Sequence, residues 1–191
     1  RDGAPVLRFA QIADVHFHGA NREPLDRAIV FLNDDLRPAF VIFTGDNASC
    51  EPARNVEVLT ALKGILETSL HVPWFMVKGD NDARGYEGVF GSSNWAFTAG
   101  GVRFVGLGLD RDAEGSGVGM STQHAWIVEQ LRVHRHGPAA VFVHEPIWPP
   151  TFLDAFRLGP KLAAERNLVL GATGHLHKDG AMRLGRVTHL S

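Results

Sequence analysis

The chain has 191 residues, enough for one domain of ordinary size with a substantial buried core. Its 19 Lys and Arg against 21 Asp and Glu give a formal charge of −2, so no polyanion-binding surface is implied. No basic run is interleaved with aromatics, one cysteine (Cys50) excludes an internal disulfide, and no apolar stretch is long enough to span a bilayer.

Residues 6–13 alternate and then turn apolar, which predicts a central strand ending on Asp14-Val15-His16-Phe17-His18-Gly19. Residues two apart on a strand share a face, so Asp14 and His16 are expected to aim at one point. Residues 24–36 predict a helix with Leu25, Ala28, Ile29, Leu32 and Leu36 on one stripe and Pro24 in its first turn. Residues 40–43 form the next predicted strand, followed by Thr44-Gly45-Asp46-Asn47. A second helix is expected over 56–70, with Val56, Leu59, Leu62, Leu66 and Leu70 facing inward. The strand at 74–77 runs into Lys78-Gly79-Asp80-Asn81-Asp82.

This rhythm of strand, helix, strand, helix, strand implies right-handed crossovers and a parallel sheet. Ligands of such sheets gather beyond the carboxyl ends of the strands. Asp14, Asp46 and Asp80 all stand at such ends. A lone Asp after Gly is ordinary turn chemistry, so the shared position, not any single residue, carries the signal.

The next elements differ in character. Residues 95–98 and 102–109 flank Ala99-Gly100-Gly101 and predict a hairpin. Residues 110–119 are a Gly-rich loop, either a pocket rim or a plain surface connection. Ser121 is the expected cap of a helix carrying Trp126, Ile127 and Leu131. Residues 139–143 predict a buried strand ending on His144-Glu145-Pro146. Residues 147–150, with Pro146, Pro149 and Pro150 close together, predict an irregular apolar loop that either lines a pocket, with Trp148 and Phe152, or packs on the body of the domain. A short helix is expected over 160–166. The last central strand, 168–170, leads to Gly171-Ala172-Thr173-Gly174-His175-Leu176-His177, and 181–190 reads as two short strands turning at Gly185.

Asp-x-His, Gly-Asp, Gly-Asp-Asn-Asp, His and Gly-His-x-His thus follow one another, each at a strand end. In this order they resemble the calcineurin-like metallophosphoesterase family. The resemblance covers nearly the whole chain and includes the Gln/His-rich start of the Trp126–Leu131 helix. It implies a single domain over 1–191 of α/β class. Two mixed β-sheets would pack as a sandwich flanked by helices, in four layers, and the family usually continues into a further strand where this sequence stops at Ser191. It also implies two metal ions, divalent or of mixed valence (Mn, Fe, Zn or Mg). Asp14, His16 and His177 would hold the first, Asp80, His144 and His175 the second, and Asp46 would bridge them. Imidazole and carboxylate suit such ions without any thiolate. The implied activity is hydrolysis of a phosphate mono- or diester by a metal-bound hydroxide. The implied partner is a small phosphorylated substrate, with no nucleic acid or membrane.

The chain departs from the family at the third strand end. The family pattern there is Gly-Asn-His followed by an acid, and here it is Gly79-Asp80-Asn81-Asp82. Asp80 replaces a neutral amide ligand and removes the single excess positive charge that two divalent ions would otherwise keep. Asn81 replaces the His to which the family assigns phosphate contact and leaving-group protonation. It can hydrogen-bond a phosphate but cannot act as an acid, help that is typically worth about 10²–10⁴-fold. His18 is the candidate substitute, and Asp82 the candidate orienter of a ligand. The alternative function is a metal-binding or protein-binding module with weak or no turnover. A metal-free nucleotide-binding protein is disfavoured, because no Gly-rich phosphate loop opens a helix. The chain starts on Arg1 with no visible signal peptide, leaving both the cytoplasm and export after loss of an upstream segment open.

Overall fold

The computed structural model describes residues 7–49, 52–82, 85–108, 123–148, 150–151 and 155–191. The elements in chain order are β1 (Ala10–Ile12), α1 (Arg22–Val30), β2 (Val41–Thr44), α2 (Asn55–Ser69), β3 (Trp74–Val77), α3 (Tyr86–Phe90), β4 (Trp95–Ala99), β5 (Val102–Leu107), α4 (His124–Val133), β6 (Ala139–Val143), α5 (Ala155–Ala164), β7 (Leu168–Ala172), β8 (Ala181–Leu184) and β9 (Val187–Leu190). A π-helical stretch, Phe31–Leu36, extends α1, and a 3-10 turn, Pro52–Arg54, leads into α2.

Two sheets form. One is three-stranded and parallel in the order β1-β2-β3. The other is six-stranded and mixed in the order β4-β5-β6-β7-β9-β8, parallel from β5 through β9 with an antiparallel hairpin at each end. The strands explain the layering. Val41 and Phe43 of β2 face the helical layer with Leu59, Leu62 and Leu66 of α2. Ile42, on the opposite face, joins Phe104 and Phe142 in the layer between the sheets. On β6, Val141 and Val143 pack with Ile127, Leu131 and Leu158 of α4 and α5, whereas Ala140 and Phe142 turn to the inter-sheet layer. Both central strands are buried on both faces, so they read as unbroken apolar runs. Four layers result: helices, sheet, sheet, helices.

The inter-sheet layer is largely aromatic. Phe75 stacks on Phe97 at 4.1 Å between ring centroids, and Phe40 meets Phe97 and Phe104 edge-on at 5.1 and 5.0 Å. Each such pair adds about 0.5–1.5 kcal/mol beyond area burial. Packed in this way, the rings bring the carboxyl ends of β1, β2, β3, β6 and β7 to one rim.

Several expected elements shift. β1 spans only Ala10–Ile12, although Ala39 N–H to Arg8 C=O (2.8 Å) and Ala10 N–H to Phe40 C=O (3.1 Å) continue its contact with β2. Val56 is 52% exposed, and Val58 takes the inward place, because the buried stripe of α2 runs through Asn55, Val58, Leu59, Leu62 and Leu66, and Val56 is turned away from it. The last helix begins at Ala155, not at Pro160, and Pro160 lies inside it. Proline removes the donor for the Phe156 carbonyl, but buried Ala155, Leu158 and Leu162 hold the helix through that gap. The hairpin forms as expected, with Gly100 and Gly101 both at positive φ (55° and 76°). Gly185 turns the β8–β9 pair at φ 59°. The Gly-rich loop 110–119, Ser121 and Phe152 lie outside the described residues. No helix of the described residues is long and apolar enough to cross a membrane.

Candidate metal centre

The loops after β1 and β2 are zipped together beyond the strands. Asp14 N–H donates to Gly45 C=O (3.1 Å), His16 N–H to Asp46 C=O (2.9 Å) and Phe17 N–H to Asn47 C=O (2.9 Å). Across the molecule, Gly174 N–H donates to His144 C=O (2.9 Å), and His175 N–H reaches both carboxylate oxygens of Asp14 at 3.0 Å. The four loops after β1, β2, β6 and β7 are therefore tied to one another.

The backbone in these loops is unusual. Among the described residues, six non-glycine residues have positive φ: Asp14 (54°), His16 (46°), Arg37 (46°), Asp46 (49°), His175 (71°) and His177 (50°). Arg37 caps the π-helical stretch. The other five are all candidate ligands. Left-handed backbone at a non-glycine residue costs about 1–3 kcal/mol and collects at functional sites. This also corrects the strand-alternation argument for Asp14 and His16. Both lie beyond β1, and left-handed turns, not a shared strand face, aim them.

Two glycines allow the loops to approach. A Cβ on Gly45 (φ 91°) would sit 2.5 Å from the His144 ring, and one on Gly79 would sit 2.1 Å from the Asp46 amide nitrogen. No side chain fits at either position without moving a candidate ligand.

Two groups of side chains gather, each with its ligand atoms within 4.8 Å of one another: Asp46, Asp80, His144 and His175, and Asp14, His16 and His177. In the first, His144 Nε2 lies 2.9 Å from Asp80 Oδ1 and 3.2 Å from Asp46 Oδ1, and His175 Nδ1 lies 3.3 Å from Asp80 Oδ1. In the second, His16 Nε2 and His177 Nε2 are 3.1 Å apart, and His177 Nε2 is 3.5 Å from Asp14 Oδ1. Two atoms at about 2.1 Å from one ion and about 90–109° apart are separated by about 3.0–3.4 Å. The observed spacings suit such a shell. Asp46 faces both groups, with Oδ1 toward His144 and Oδ2 3.8 Å from His16 Nε2.

The surroundings set the protonation of this cluster. His144 is fully buried and donates Nδ1–H to Thr44 C=O (2.9 Å), which leaves Nε2 for the carboxylates. Burial disfavours its charged form, but hydrogen bonds to Asp46 and Asp80 outweigh burial and raise its pKa to about 10. For Asp46, burial works upward, yet the His144 contact and the Asn81 N–H leave its pKa below the usual carboxylate value. Asp82 is fully buried, and burial pushes its pKa up. Its carboxylate accepts Gly79 N–H (2.9 Å), Asn47 N–H (3.1 Å), Ala48 N–H (2.9 Å) and the Asn47 side-chain amide (2.6 Å). It thus clamps the loop after β3 to the loop after β2, which holds Asp46.

All seven candidate ligands from the sequence therefore enter the two groups. Asn81 lies beside them and donates its backbone and side-chain N–H to Asp46 Oδ1 and Oδ2. His18 belongs to neither group and is exposed. Gln11 is a further residue of the site, outside the sequence motifs. Its side-chain amide donates to Thr44 Oγ1 (3.1 Å) and Thr173 C=O (2.8 Å), joining β1, β2 and the end of β7. A polar residue inside an otherwise apolar strand is its only signal in the sequence.

The family model described as calcineurin-like phosphoesterase matches residues 7–179. A search of curated proteins finds no match. Among solved structures, a dimetal phosphatase from Danio rerio superposes with a TM-score of 0.77 at 15% identity, over 98% of this chain and 87% of that one. GAP50, the anchor in the inner membrane complex of Plasmodium, gives 0.67 at 15% identity, over 96% and 70%. The phosphopantetheinyl hydrolase of Mycobacterium tuberculosis gives 0.59 at 15% identity, over 96% and 87%. At such identities these likenesses speak for the fold alone. The match over 7–179, together with the ordered ligand motifs, makes the chain a member of the calcineurin-like phosphoesterase family.

Proposed function

We propose that the chain is a metal-dependent hydrolase of phosphate esters with a dinuclear centre. Asp14, His16 and His177 would hold one ion, Asp80, His144 and His175 the other, and Asp46 both. The observation that carries this reading is the placement of the two Asp46 oxygens toward different groups. A carboxylate can serve two ions in this way, whereas a neutral imidazole, with one free nitrogen lone pair, cannot. Bound there, the ions would act as Lewis acids on the phosphate and lower the pKa of a water for in-line attack. In the overall reaction water oxygen joins phosphorus, the bond to the ester oxygen breaks, and the alcohol leaves with a proton.

The chain's own residues do the positioning. Thr44 C=O fixes the His144 ring, and Asp82 and Gln11 hold the loops in register. Asn81 orients the shared carboxylate and offers no acid. His18, on the exposed rim, is the proposed proton donor to the leaving group. Asp80 makes the ligand set richer in negative charge than the family pattern, so the centre should bind metal tightly and polarise an anionic phosphate less. A trivalent iron in one position would restore the balance.

The test is hydrolysis of p-nitrophenyl phosphate and its bis ester with Mn, Zn, Fe or Mg added and bound metal counted. Turnover that follows occupancy of two ions supports the proposal. A chain that holds two ions and turns over neither ester contradicts it and favours a binding module. Asp80 and Asn81 favour that second reading, and the Plasmodium anchor has a related fold. The double variant Asp80→Asn with Asn81→His separates the two, since a large gain in turnover would show that this stretch limits catalysis. His18→Ala with an unchanged pH–rate profile would exclude His18 as the donor.

A further inference from the structure

The six-stranded sheet ends on one side at β8, and every residue of β8 is exposed. An outermost strand of this kind offers a row of N–H and C=O groups to another strand. The contact of β8 with β9 shows which of these groups face out. Gly180 and Ser191 exchange both backbone bonds (2.9 and 3.0 Å), and Ser191 Oγ donates to Lys178 C=O (3.2 Å). Successive residues of a strand turn their backbone groups to opposite sides. Lys178, Gly180, Met182 and Leu184 therefore turn theirs to β9, and Asp179, Ala181 and Arg183 turn theirs outward.

The outward residues carry complementary charge. Asp179 is exposed, and its carboxylate makes no ion pair or hydrogen bond among the described residues. Arg183 engages Gly185 C=O through Nε (3.2 Å), which leaves its other nitrogens open. On the opposite face of the strand, Met182 is 41% exposed and Leu184 38%, so apolar surface is open there as well.

We propose that β8 pairs antiparallel with β8 of a second copy of the chain, about a two-fold axis at Ala181. Charge and alternation together choose this register. The bonds across the seam must come from Asp179, Ala181 and Arg183, because the residues between them are spent on β9. With Ala181 opposite the partner's Ala181, Arg183 stands opposite the partner's Asp179, and an ion pair closes on each side of the axis. On the other face, Met182 meets the partner's Gly180, which has no side chain to oppose it. The aliphatic stem of the partner's Lys178 lies over Leu184. A shift by one step toward Gly185 would put Arg183 opposite the partner's Ala181 and leave both charges unmatched. A further step would put Arg183 opposite the partner's Arg183, and like charges directly opposite are destabilising.

The two-fold pairing consumes this edge in both copies, so the assembly closes as a dimer with one sheet running through it. Asp179 follows His177 by two residues, so the seam borders the exposed ligand group without using it. Association is thus independent of the hydrolase reading.

Sedimentation equilibrium of the full chain over about 1–100 μM, the affinity range of a small interface, should show monomer and dimer in exchange. Amide hydrogen exchange at Ala181 and Arg183 should slow as the dimer forms, whereas Met182 and Leu184, already bonded to β9, should not change. Arg183→Asp sets like charges across the seam and should weaken the dimer by about tenfold or more. The swap of Asp179→Arg with Arg183→Asp should restore it. Ala181→Pro removes an outward N–H and no bond to β9, at a first strand position where proline is tolerated, and should leave a folded monomer. Circular dichroism identifies the variants that fold. A monomer at every concentration overturns the proposal. So does a dimer that survives both Arg183→Asp and Ala181→Pro, or a swap variant that folds and stays monomeric.

Discussion

The two ligand groups are built from the same residue types but stand in different surroundings. In the group of Asp46, Asp80, His144 and His175, the side chain of His144 is 0% exposed and that of Asp46 is 4%. In the group of Asp14, His16 and His177, His177 is 60% exposed and His16 26%. The first group is a structural knot as well as a candidate site. His144 pairs with two carboxylates there and holds Thr44 of the neighbouring sheet. The second group is held mainly by its backbone and has no fully buried member, and His177 reaches toward solvent. Metal and protein stability should therefore be strongly coupled in the buried group and weakly coupled in the exposed one.

The largest expected effect comes from Asp46, the residue that faces both groups. Asp46→Ala should remove the shared ligand and lower turnover by about 10²–10³-fold or more, the scale of losing one preorganised electrostatic contact. Steady-state kinetics with metal analysis would check it. A variant that kept two ions and near-normal turnover would break the claim that the groups are joined.

The contrast between the groups is sharpest in the metal-free protein. His144→Ala leaves two carboxylates facing each other without their cation, and breaking such a buried pair costs about 3–5 kcal/mol. His177→Ala at the exposed rim should change stability by no more than about 0.5 kcal/mol. Urea unfolding of both variants without metal measures the difference. Equal costs would mean that the two environments do not differ as described.

Asp82→Asn should be intermediate. The replacement brings donors against three backbone N–H groups and the Asn47 side-chain amide, so about 1–3 kcal/mol of stability should be lost. Because the same clamp holds the Asp46 loop, metal affinity should fall by about 10–100-fold, as for other residues that orient ligands. A variant of normal metal affinity would confine Asp82 to a folding role.

The smallest effect is a pH dependence peculiar to the buried group. The pKa of His144 rises from 6.5 to about 10 in the metal-free fold. Its contribution to stability is therefore full below pH 6.5 and lost as pH rises through about 10. Metal needs the neutral imidazole, so binding at this group should release a proton, and apparent affinity should climb with pH across that window. Titration calorimetry in buffers of different ionisation heat would count the proton. Binding without proton release would contradict the His144–carboxylate pairing.

The ligand positions are legible in the sequence for a physical reason. The strands ahead of these ligands are short, largely apolar runs, and β2 and β6 are buried on both faces, so the first polar residues after them mark the rim where the chain leaves the core. Asp46, Asp80, His144 and His175 stand out for that reason. The left-handed backbone of five ligands is not legible, because the zipped loops impose it and no local preference encodes it. Val56 misleads because three-residue spacing from Leu59 and Leu62 suggests one face, whereas the buried stripe of α2 runs through Asn55 and Val58. Pro160 suggests a helix start, but buried side chains on both sides of it decide the true one. The apolar loop at 147–150 is legible as a pocket wall or a packed segment, and Ile147, Trp148 and Pro150 line an apolar cavity beside α5 while Ile147 also packs on the core.

Anomalous X-ray scattering from crystals of the manganese-loaded protein tests the central claim most directly. Two peaks about 3.5–4 Å apart should flank the Asp46 carboxylate, one bounded by Asp14, His16 and His177 and the other by Asp80, His144 and His175. A single peak, or two peaks of which neither touches Asp46, would contradict the account.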